Sequence, residues 1–109
     1  MNQPSKTNTS LRHIVMWTLK EEAEGRTKAE NMLKAREVLM SCAALVPGIE
    51  LFEVGLKSDG LDCTCDVILN SVFKDEAALT AYQNHPDHIA IKPFMKAIVA
   101  QRQCMDFWN

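Results

Sequence analysis

The chain has 109 residues, 47% of them hydrophobic and 24% charged, with a formal net charge of −2. That length makes one domain with a modest core, and the composition argues against disorder and fibrous repeats. Without a long basic run, neither nucleic acid nor an anionic membrane is an expected partner.

No apolar run approaches the roughly 18 residues a bilayer span needs, and the leading "MNQPSKTNTS" lacks the apolar core of a signal peptide. A cytoplasmic location is therefore expected. Four cysteines, Cys42, Cys63, Cys65 and Cys104, are too irregularly spaced for a disulfide framework, so reduced thiols are expected.

Residues 1–10 are polar and read as a mobile tail, with a single domain over 11–109. The stretch "LRHIVMWTL" predicts a strand with Leu11, His13, Val15, Trp17 and Leu19 on one face and Ile14 and Met16 on the other. From Ala29 to Val46, Met32, Ala35, Leu39, Cys42 and Val46 recur at helical spacing, and Pro47-Gly48 is the expected stop. "IELFEVGL" reads as a second strand with Phe52, Val54 and Leu56 sharing a face. "KSDGLD" then has turn chemistry and leads to a third strand, Cys65 to Phe73. Asp75 suits the cap of a second helix carrying Ala78, Leu79 and Tyr82, which His85-Pro86 interrupts. A short helical piece is expected to resume after Pro86, and "AIVAQRQCMDFW" closes the chain as a strand.

The order strand, helix, strand, strand, helix, strand predicts an α+β, ferredoxin-like βαββαβ unit with a four-stranded antiparallel sheet. Two helices cover one sheet face. The other is expected to carry Ile14, Met16, Phe52, Val54, Ile68 and Val72, too much apolar surface to leave wet. A second copy packed sheet against sheet would cover it, which makes a two-fold homodimer the expected assembly.

Chemistry-bearing residues concentrate in "AYQNHPDHI", Ala81 to Ile89. His85 suits a structural role, since its ring can bond backbone groups freed where Pro86 breaks the helix. A metal site is not expected: a proline separates His85 from His88, and no third ligand has diagnostic spacing. Cys63-x-Cys65 would place two thiols on one side of a strand but has no second pair to complete a zinc site. "VGLKSDG" lacks the phosphate-loop pattern, and no histidine stands where an axial haem ligand is needed, so no cofactor is expected.

Several segments together resemble the stress-responsive dimeric α/β barrel (Dabb) family: "RHIVMW" in the first strand, "LVPGI" after the first helix, "EVG" in the second strand, "FKDEAALTAYQNHPDHI" around the second helix, and "DF" near the end. The resemblance runs from Leu11 to Phe107 and implies a monomer that pairs into a dimeric α+β barrel with its helices outside. Similar proteins include plant stress-induced proteins and a polyketide cyclase. In that cyclase group the tyrosine and last histidine of Y-x-x-H-P-x-H are the catalytic pair, which places the roles on Tyr82 and His88. A first-strand histidine borders the family's pocket, here His13.

On this reading His88 is a general base for an acidic C–H proton of a β-keto compound, and Tyr82 orients it or donates to the enolate oxygen. The expected substrate-binding wall is His13, Trp17, Leu39 and Leu69. The first helix offers Ala35, Arg36 and Leu39 without aromatic lining, a departure from a long slot for an alkyl tail. Arg36, if it faced the pocket, would favour an anionic ligand. Two other readings stand beside the cyclase-like one: a noncatalytic stress-associated protein of assembly or ligand binding, and a cofactor-free monooxygenase.

Overall fold

A computed structural model describes residues 9–109. The first strand, β1 (Leu11–Leu19), alternates buried and half-buried side chains along its whole length, as its period-two pattern requires. A small hairpin follows, β2 (Glu22–Ala23) against β3 (Arg26–Thr27). Its two central residues, Glu24 and Gly25, both have positive φ, 55° and 74°, the twist that two-residue hairpin turns favour. Four paired residues carry too little pattern for periodicity to reveal.

Helix α1 (Lys28–Met40) starts on a capping box, with the Thr27 hydroxyl accepting from Glu30 N–H and the Glu30 carboxylate accepting from Thr27 N–H. It ends well before Pro47. The Ser41 hydroxyl donates to the Val38 carbonyl at 2.6 Å, competing with the helical ladder. The N–H groups of Cys42 and Ala43 then donate to carbonyls three residues back, of Leu39 and Met40. The chain tightens into turns that keep Cys42 fully buried. At Gly48, φ is 93°, and an added Cβ would lie 2.9 Å from the Ala78 Cβ, so only glycine suits this junction.

Strands β4 (Ile49–Leu56) and β5 (Val67–Phe73), helices α2 (Glu76–Asn84) and α3 (Pro86–Ile98), and strand β6 (Val99–Trp108) complete the chain. The four long strands form one antiparallel sheet in the order β4-β5-β1-β6. This is the ferredoxin-like arrangement, with all three helices forming one layer. Cys63 and Cys65, expected on one side of a strand, lie in the connection before β5 as free thiols. The helix after Pro86 is no short piece but thirteen residues long, with Pro93 inside it.

Phe52 and Val54 correct the expected sheet faces. A register irregularity between Ile49 and Leu51 changes the phase of β4. It sets Phe52 opposite Ser71 and Val54 opposite Leu69, residues buried beneath the helices. Phe52 and Val54 therefore join the core, and Leu51 and Glu53 take the open face.

The core has two parts. Val15, Trp17, Leu19, Leu39, Leu69 and Ile98 anchor one; Leu11, Cys42, Phe73, Leu79 and Tyr82 anchor the other. Each fully buried large side chain contributes about 1.5–3 kcal/mol. The molecule is only 18 Å thick along its shortest axis, the depth of one helix layer on one sheet. The open face mixes Ile14, Met16, Ile68 and exposed Met105 with a polar chain in which Arg12 donates to Asn70, and Asn70 to Glu53.

Most of the expected tail lies outside the described residues. At its edge Ser10 exchanges backbone hydrogen bonds with Asn109. Among the described residues no helix is long and apolar enough to cross a membrane.

Candidate functional site

The cleft arises from incomplete cover. The ladder with β1 sets Arg102, Cys104 and Asp106 opposite Trp17, Val15 and His13, on the helical side of the sheet, yet all three are exposed. The helix layer stops short of β6, leaving a cleft of 1120 Å³ between α3 and the β1–β6 edge. Its wall includes His13, Trp17, Leu39, Leu69, Tyr82 and His88, so the six expected site residues share one concavity. Arg36 is exposed on α1 and is not among the lining residues.

Tyr82 sits on the inner side of α2, whose N-cap Asp75 accepts from Ala78 N–H at 2.8 Å. Its ring packs against Phe73 (centroids 5.2 Å apart), Phe52 (5.9 Å) and His88 (4.5 Å). The residue is 1% exposed, and among the described residues its hydroxyl has no hydrogen-bond partner. A buried unpaired hydroxyl is costly. Burial, reinforced by Cys42, pushes its pKa well up, so it stays protonated as a donor.

His85 takes the structural role. It closes α2 and caps α3, its Nδ1 accepting from Asp87 N–H at 3.1 Å with Pro86 in the first turn. That junction carries His88 to the cleft. His88 Nδ1 lies 3.1 Å from the Gln83 carbonyl, which can only accept, so Nδ1 carries the proton and Nε2 holds the free lone pair. Burial lowers the pKa of His88; the Gln83 bond opposes this, while Lys92, His13 and Arg102 lower it further. The imidazole is therefore neutral near pH 7.

His13 is 5% exposed, and its Nδ1 lies 2.5 Å from Asp106 Oδ1. Its backbone carbonyl accepts from the Ser71 hydroxyl at 2.7 Å. Asp106 had no assigned role in the sequence, because only strand register brings position 106 opposite position 13. Lys92, Lys96 and Arg102 also line the cleft without having been singled out. The two lysines carried a legible signal, a spacing of four from His88 along one helix. Among the described residues no group of three or more metal-ligating side chains comes together.

The family model for the stress-responsive A/B barrel domain matches residues 11–109. The chain belongs to the Dabb family. Its fold is shared by a Dabb protein from Mesorhizobium loti with 26% identity, covering 92% of this chain and 96% of the other at a TM-score of 0.65. A dimeric ferredoxin-like protein of unknown function from Bacteroides fragilis is also 26% identical, covering 90% and 94% at a TM-score of 0.75. A third, dimeric and of unknown function, comes from Jannaschia sp., with 26% identity, coverage of 90% and 97%, and a TM-score of 0.65. No functionally curated protein matches the chain.

Proposed function

We propose that this Dabb protein is a homodimer whose cleft binds a small carbonyl compound and enolises it by general-base catalysis. His88 Nε2 takes a proton from the carbon beside the carbonyl. The C–H electron pair passes into the enolate, and the Tyr82 hydroxyl donates to its oxygen. The observation that carries this reading is the unpartnered Tyr82 hydroxyl beside a neutral imidazole whose Nδ1 is already engaged by Gln83. One group is held as a donor and the other as an acceptor, a division of labour set by their environments.

Dimerisation is supported by the open sheet face and by the dimeric relatives at 26% identity. Pairing of that face leaves the cleft on the opposite side of the sheet.

The test is deuterium incorporation at the α-carbon of a 3-oxoacyl thioester in D₂O, followed by NMR. Wild type is expected to exceed the buffer rate, Tyr82→Phe to lose roughly 100-fold of the acceleration, and His88→Asn to return to the buffer rate. Equal rates for wild type and His88→Asn would refute the base assignment. The tight enclosure of Tyr82, 1% exposed, favours a second reading, ligand binding without turnover. Binding with no exchange above buffer would select it.

A further inference from the structure

Charge around the cleft is one-sided. Its lining includes Lys92 and Lys96 from α3 and Arg102 from β6, and no aspartate or glutamate, although the whole chain has 14 acidic residues against 12 basic. Lys92 and Lys96 follow His88 at successive steps of four, which sets the three side chains in one stripe along α3. Arg102 stands opposite Trp17 in the ladder, where its guanidinium meets the Cys104 sulfur at 3.6 Å rather than a carboxylate. Among the described residues none of the three cations joins an ion pair. The carboxylate of β6, Asp106, is engaged by His13. That of α3, Asp87, sits in the first helical turn and does not line the cleft.

The remaining wall is largely apolar, with Val15, Trp17, Leu39, Leu69 and Met95. Three exposed cations from two elements that line one largely apolar cleft suit a ligand with an oily body and an anionic end. We propose that the cleft selects amphiphilic carboxylates, with the apolar part against Trp17, Leu39 and Leu69 and the carboxylate among Lys92, Lys96 and Arg102. This rests on the cleft being the ligand site, and it names the class of molecule that the site accepts.

The test is calorimetric titration of the full chain with 4-phenylbutyrate and with 4-phenylbutanol, its neutral counterpart of equal length. The carboxylate is expected to bind at least about tenfold tighter, by roughly one charge-assisted contact, with a preference that shrinks as salt is added. A Lys92→Gln/Lys96→Gln/Arg102→Gln variant should bind both compounds alike, with the affinity for the alcohol unchanged. A Lys92→Arg/Lys96→Arg variant should retain the preference, which guards against misfolding of the triple replacement. Equal affinities in wild type, an unchanged preference in the triple variant, or no binding of either compound would overturn the proposal. His88→Asn separates the two readings: it should abolish deuterium exchange while keeping the preference for carboxylate. Exchange that survives in wild type without such a preference removes the substrate class alone.

Discussion

Tyr82 is a residue on which folding and chemistry place opposite demands. Its ring closes a core cluster, yet its hydroxyl is buried without a partner, a state that costs stability. Tyr82→Phe is therefore expected to raise unfolding free energy by about 1 kcal/mol while lowering exchange activity. Urea denaturation measures the first effect, and a less stable variant would mean that the hydroxyl contributes a favourable bond in the folded protein. His88 ties stability to pH in a definite direction. Its folded pKa lies below the ordinary 6.5, chiefly through burial, so the unfolded chain binds the proton first as pH falls. The contribution is complete above 6.5 and is lost as pH falls from there toward the folded value. His88→Asn lacks this titration, so the difference between the wild-type and variant stability curves should display the acid limb. A difference that stays flat through that window would contradict a buried neutral imidazole.

Among the elements, the pieces governed by neighbouring residues were legible in the sequence. The two faces of β1, the Asp75 cap of α2 and the His85 junction before Pro86 all follow from local chemistry. The pair Tyr82 and His88 was legible through the resemblance of "YQNHPDH" to the cyclase group's motif, and the fold sets the two rings 4.5 Å apart. Phe52 and Val54 were misplaced because a register irregularity in β4 is a property of two strands and leaves no mark on either alone. Asp106 and Arg102 escaped for the same reason, their relation to the site being set by pairing with β1. Gly48 links the "LVPGI" segment to a physical demand. Gly48→Ala combines a positive φ with a 2.9 Å approach to Ala78, and should cost about 2 kcal/mol, read from its denaturation midpoint. A neutral effect would show that β4 and α2 readily separate there.

At the scale of the molecule, a single helix layer on a single sheet leaves one face open and one cleft uncovered, and the proposed function gives the two different uses. Ile14 and Met16 lie at the middle of the open face, half-buried within one chain. Ile14→Lys is expected to convert the dimer to monomer by sedimentation while the monomer keeps its fold; a dimer that persists would place the interface elsewhere. The cleft lies on the opposite side of the sheet from the proposed contact, so the proposed chemistry is to be followed in the assembled protein. The most direct measurement is the acid limb of the deuterium-exchange rate, corrected for buffer, in wild type and His88→Asn. The expected result is a plateau near neutrality and a one-proton fall at acid pH with its midpoint below 6.5, absent from His88→Asn. A catalysed rate with no such limb, or a limb that survives the substitution, would contradict a neutral His88 as the base.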